Sequence, residues 1–150
     1  MLMQQGLHYF NLNPIINNMA NIVALTEAAT IGLHSIVLIA RSEQVMNVGE
    51  IAEKINSSRH HVAKILQRLA KDGYISSNRG PSGGFFLKGK PDEITLLNIY
   101  EAIEGRFQVH SCPADKSQCP FGNCLLGDLS HKVSSELREY LANRTIKDYL

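Results

Sequence analysis

The chain has 150 residues, 44% of them apolar and 19% charged, with 15 Lys plus Arg against 14 Asp plus Glu and a formal net charge of +1. That composition excludes an extended disordered chain and a uniformly basic or acidic one, and the length suits one domain with an appendage. A net charge this small also points away from a nucleic-acid partner, for which a domain pI above about 9 is the usual mark.

Residues 1–18 show no clear periodicity and read as an N-terminal extension of unknown role, with Met19 as an alternative start. From Asn21 to Ala40 the apolar residues Val23, Ala24, Ala28, Ile31, Ile36 and Ile39 recur at helical spacing. A membrane span needs about 20 residues with few or no charges. This stretch contains Glu27 and His34 and closes on Arg41, so a buried amphipathic helix fits better. Asn47 with Glu50 forms a capping-box pattern for a helix over 48–55. Asn56-Ser57-Ser58 breaks that helix and caps another running to about Asp72, with Val62, Ile65, Leu66 and Leu69 on its inner face and Gly73 as terminator. Residues 74–79 and 85–88 read as strands joined by the glycine-rich turn 80–84. Thr95 and Gly105 bracket a further helix ending at Glu104. A Cys-bearing loop over about 106–124 leads to a last amphipathic helix carrying Leu126, Leu129, Val133, Leu137, Tyr140 and Leu141 on one side.

Two helices joined by a tight polar turn and followed by a hairpin predict a mainly α fold with a small β-hairpin wing, a winged helix-turn-helix. The charge, read by segment, supports DNA after all. Residues 54–90 hold eight cations against the single acid Asp72, net +7, and the rest of the chain holds seven against thirteen, net −6. Lys and Arg contacts to phosphate supply much of nucleic-acid affinity. A recognition helix capped at Ser58 aims Ser58, Arg59, His60 and His61 at base edges, with Lys64 and Arg68 nearer phosphates. Arg79 and Ser82 place the wing on the duplex. Reading the same surface as merely solvated, or as a protein-interaction module, leaves the glycine-rich wing unexplained.

Cys112, Cys119 and Cys124 are odd in number and clustered, which does not suit a disulfide-stapled secreted domain, and no secretory leader is evident. The chain therefore reads as cytoplasmic, where clustered Cys indicate metal or redox chemistry. Three thiolates leave one coordination position for another ligand, which suits an iron–sulfur cluster or zinc; three structural or redox-active thiols are the alternative. No phosphate-cradling loop opens a helix and no nucleophile–base motif appears, so an enzyme is not expected.

The run Ile65-Leu66-Gln67-Arg68-Leu69, then Asp72-Gly73-Tyr74-Ile75, then Arg79-Gly80-Pro81-Ser82-Gly83-Gly84-Phe85 resembles the Rrf-type regulators that include IscR and NsrR. Ile94-Thr95-Leu96-Leu97, Glu101-Ala102-Ile103-Glu104-Gly105 and the three Cys extend the likeness over about 22–145. The resemblance implies a homodimeric bacterial transcription regulator of double-stranded DNA, with a winged helix-turn-helix over 19–90. It also implies a Cys-loop sensor and a long C-terminal dimerisation helix over 91–150. A 2Fe–2S or 4Fe–4S cluster at Cys112, Cys119 and Cys124 would then govern operator binding in response to oxidation, nitric oxide or cluster loss. Where IscR has a base-reading Glu this chain has Ala63, and where IscR has a ligating His three residues after the last Cys it has Gly127. Substitutes for that fourth ligand are His34, then Glu27, with Asp128 and His131 also near in sequence. A cluster-free repressor, controlled by a thiol switch or a protein partner as in CymR-type relatives, is the alternative.

Overall fold

A computed structural model describes residues 25–80, 83–109, 121 and 125–150. Helix α1 (Glu27–Arg41) starts at Thr26, whose extended backbone and side-chain oxygen cap it by accepting from the Ala29 N–H at 3.0 Å. The predicted start at Asn21 lies outside the described residues. Within them Leu25 is exposed and precedes the helix.

Helix α2 (Val48–Lys54) opens with the expected capping box. Glu50 N donates to Asn47 Oδ1 at 3.0 Å and Asn47 N to Glu50 Oε2 at 2.9 Å. The turn after it runs through Asn56 at φ +51°, a left-handed conformation that Asn tolerates better than most residues. Helix α3 (Arg59–Lys71) follows, capped by Ser58, and ends before Gly73 at φ +84°. Strands β1 (Ile75–Asn78) and β2 (Gly84–Leu87) pair antiparallel, with Ile75 opposite Leu87 and Asn78 opposite Gly84. Helix α4 (Leu96–Glu104) is closed by a Thr95–Asn98 capping box and Gly105, as the sequence predicts. Helix α5 (Leu129–Ala142) spans 14 residues, about 21 Å at 1.5 Å per residue, close to the 15 of α1.

α1 is the centre of the molecule, packed on α3, α4 and β2. Ile31, Ile36 and Ile39 from α1 join Ile51, Val62, Leu66, Leu69, Ile75, Ile99 and Ile103 in one core. This construction is a winged helix whose first strand has shrunk to one residue pair. Met46, in the short link before α2, exchanges backbone hydrogen bonds with Phe85, at 3.1 and 2.8 Å.

That pairing fixes the identity of Gly84. A Cβ there would stand 2.7 Å from both C and O of Met46, which are backbone atoms that cannot swing aside. Gly84→Ala is therefore expected to pry the wing from the α2 link and cost about 1–3 kcal/mol, the usual scale of forced overpacking. A urea melt of the variant that superposes on wild type would contradict this.

Two features were not legible in the sequence. The chain after α5 returns to the start of α4: Leu96 N donates to Arg144 O at 2.8 Å and Ile146 N to Ile94 O at 2.9 Å. A 3-10 turn at Ile146–Tyr149 buries Ile146, and Arg41 Nε donates to Tyr149 O at 2.5 Å. The Tyr149 phenol is pushed above its ordinary pKa first by its hydrogen bond with Tyr140 and then by burial. The second feature concerns the apolar arc of α5, expected on one side. Ser130, Ser134 and Leu141 are buried, with Leu137 half-buried, against the rest of the molecule. Leu129 and Tyr140, at 54% and 52% exposed, lie on the other half of the arc, and Leu126 just before the helix is exposed too. The arc is wider than the strip that the chain's own core covers.

Candidate nucleic-acid interface

The candidate recognition helix, α3, is defined by what it buries. Val62, Ile65, Leu66 and Leu69 are all at most 5% exposed. At 100° per residue the opposite meridian carries His60, Lys64, Gln67 and Lys71, all exposed. No acidic residue lies on α3. Gln67 and Lys71 were not among the residues singled out from the sequence. Their spacing from His60, seven and eleven residues, is the signal that would have found them, once Val62–Leu69 is taken as the buried side.

Two residues expected at the bases are turned to the flanks. The Arg59 guanidinium lies against the first turn of α2, its Cζ 3.4 Å from where a Cβ on Gly49 would sit. His61 faces α1, with Nδ1 3.5 Å from Glu27 Oε1. Ser58 is engaged as the cap, its hydroxyl oxygen accepting from His61 N at 3.2 Å. Arg68 is exposed on the same flank of α3 as His61.

The wing continues from α3 through Gly73. Arg79 and Lys88 are exposed at its two sides, and Ser82 lies outside the described residues. Tyr74, half-buried at the foot of β1, has its phenol pushed above its ordinary pKa by burial and then by Asp72 and Glu101, so it stays protonated. Gly83 closes the turn by donating its N–H to Gly80 O at 2.9 Å.

Cys112, Cys119 and Cys124 also lie outside the described residues, and among the described residues no group of three or more metal-ligating side chains is assembled. The proposed fourth ligands can be placed. His34 is exposed on α1, its Nδ1 2.7 Å from Thr30 O, and Nε2 has no hydrogen-bond partner among the described residues. Cavities of about 410 and 300 Å³ adjoin it, the first bordered by Thr30, Lys54 and Asn56, the second by Val37, Leu96 and Tyr149. Glu27 is engaged with His61, and Asp128 is held by Lys132 at 2.8 Å. His131 is exposed at the start of α5. Gly127, where IscR would have its His, takes φ +55°.

Fold and site together define a winged helix-turn-helix DNA-binding protein. The family model Rrf2, described as an iron-dependent transcriptional regulator, matches residues 25–150, and the chain belongs to that family. It is 29% identical to the HTH-type transcriptional regulator NsrR of Bacillus subtilis over 121 residues, 79% of this chain and 82% of that protein. It is 27% identical to the HTH-type transcriptional regulator IscR of Pectobacterium atrosepticum over 126 residues, 83% of this chain and 73% of that one. In fold it is similar to CymR, the global cysteine regulator of B. subtilis. There the TM-score is 0.68 at 23% identity, over 84% of this chain and 95% of that one. The protein is thus a DNA-binding transcriptional regulator and not an enzyme. None of the described helices is long and apolar enough to cross a membrane.

Proposed function

We propose that this chain binds operator DNA as a cytoplasmic homodimer and that its affinity is set at the loop carrying Cys112, Cys119 and Cys124. The observation that carries the DNA part is the acid-free outward meridian of α3, with Lys64 and Lys71 on it and Arg79 on the adjoining wing. His60, Lys64 and Gln67 meet base edges, Arg68 and Lys71 meet phosphates, and Arg79 with Ser82 places the wing.

The uncovered half of the α5 arc supports the homodimer. Burying Leu126, Leu129 and Tyr140 against a second copy would bring two α3 helices into one assembly, as two half-sites one DNA turn apart require. Leu129→Glu is expected to turn the dimer into a monomer in sedimentation. The thermal midpoint of the isolated fold should hardly move, since Leu129 is already half exposed. A dimer that survives the substitution would remove α5 from the interface.

The donor set fits an iron–sulfur cluster. Three thiolates supply the soft ligands and His34 Nε2, or failing that the Glu27 carboxylate, supplies the fourth. When bound, such a cluster provides a centre that oxidation or nitric oxide alters. What the chain itself contributes is the anchoring of His34 to the Thr30 carbonyl, which fixes the face of the ring left open. Gly127 in place of a ligating His favours a second reading, a cluster-free regulator controlled by thiols or a protein partner. Anaerobic purification with iron and sulfide assays and visible spectroscopy separates the two. Stoichiometric iron and sulfide that vanish in a triple Cys→Ser variant support the cluster; neither iron nor sulfide in wild type defeats it.

A further inference from the structure

Helix α1 presents one face that the core does not close. Leu33, Val37 and Arg41 recur along it at intervals of four residues, with His34 and Leu38 beside them. Leu33, Val37 and Leu38 are half-buried there, and with Leu96 at the start of α4 and with Tyr149 they border a cavity of about 300 Å³. Arg41 stands at its far end, with Nε already given to Tyr149 O. Among the described residues no acid borders this cavity. It is an apolar seat alongside α1 whose one permanent charge is positive.

The chain carries an occupant of matching chemistry. Residues 1–24 precede the part that the Rrf2 model matches, which begins at 25. They contain no Lys, Arg, Asp or Glu, although the whole chain is 19% charged, and 14 of the 24 are apolar. Apolar side chains gain by leaving water. Residues 7–16 hold both aromatic residues of this segment, Tyr9 and Phe10, together with Leu7, Leu12, Ile15 and Ile16. Reach is not limiting. Arg41 is 16 residues beyond Leu25, about 24 Å along the helix, and an extended chain covers that in about eight residues. Ile16 already lies nine residues before Leu25.

We infer that residues 7–16 dock in this cavity of their own chain, as a built-in cover over Leu33, Val37 and Leu38. An uncharged segment brings no cation for Arg41 to repel and no carboxylate to be stripped of water beside apolar walls. Being tethered, it meets the seat at a high effective concentration, which favours it over a second copy of the chain. The inference goes beyond the operator-binding function and does not depend on it.

The test uses the full-length protein with Leu12→p-benzoylphenylalanine, irradiated and mapped by peptide mass spectrometry. The cross-linked product is expected to run at the mass of one chain on a denaturing gel, with position 12 joined to residues 33–38 or to Leu96. Adding Phe10→Asp, which touches nothing in the described fold, should cut the yield about tenfold, since the carboxylate resists burial. Val37→Asp should do the same from the other side, with far-UV circular dichroism checking the helices; if that variant unfolds, Phe10→Asp decides. Leu129→Glu, on the α5 arc, should leave the yield within about twofold. A product at the mass of two chains overturns the inference, because a second copy then takes the seat. So do attachments on α5 or scattered over the surface, no product at all, or a yield that Phe10→Asp leaves unchanged.

Discussion

Replacing Lys64 and Arg79 together with alanine is expected to weaken binding to promoter DNA by about tenfold to a hundredfold at physiological salt. Each side chain that neutralises a phosphate releases about 0.9 counterion from B-DNA, so the slope of log affinity against log salt should fall by about two. The two residues sit on different elements, one on the outward meridian of α3 and one at the end of β1, and neither is ion-paired to an acid among the described residues. Lys132→Ala is the matched control. It removes one positive charge of the two from α5 instead, where the ammonium already pairs with Asp128 at 2.8 Å, and promoter affinity should stay within about twofold. If the control and the double variant weaken binding equally, α3 and the wing are not the interface.

Leu66→Ala is expected to destabilise the fold by about 2–5 kcal/mol, the range for emptying a packed leucine site. Leu66 is fully buried in the inner face of α3, within the core that α1 also lines. That loss is a large share of the stability of about 5–15 kcal/mol typical of a domain, and it falls on the helix that carries the proposed DNA face. Urea denaturation should show a lower midpoint with little change in slope. Arg68→Ala, two residues on and exposed, should move the midpoint by no more than about 0.5 kcal/mol equivalent. A Leu66→Ala midpoint equal to that of Arg68→Ala would mean that α3 is not anchored through this face.

Much of the architecture is written locally and was readable. Asn47 with Glu50, Ser58, and Thr95 with Gly105 mark helix ends through hydrogen bonds spanning three or four residues, and each is found where the spacing placed it. α1 starts at Glu27, later than its apolar pattern alone suggests. Its apolar pattern does not stop at Thr26, while the Thr26 cap does define an end. The basic face of α3 was legible in its charge and only partly in which of its side chains point outward. Arg59 and His61 share the charge and polarity of the group but are drawn aside by Gly49 on α2 and Glu27 on α1. Gln67 and Lys71 take their outward place because the buried side of α3 excludes every other orientation.

The sequence by itself determined the order of elements, their caps, the winged helix-turn-helix and the separation of +7 from −6 along the chain. All of these follow from patterns a few residues long, or from a count. Tertiary structure alone decided the Met46–Phe85 pairing that requires glycine at 84, and the return of Arg144 and Ile146 to Leu96 and Ile94. It also decided the half of the α5 arc left uncovered and the meeting of Glu27 with His61. Each of those joins residues some 34 to 52 positions apart, or depends on how wide a neighbouring surface is. Such contacts form only when the loops between them close, and the core that makes closure favourable is shared by all the elements at once.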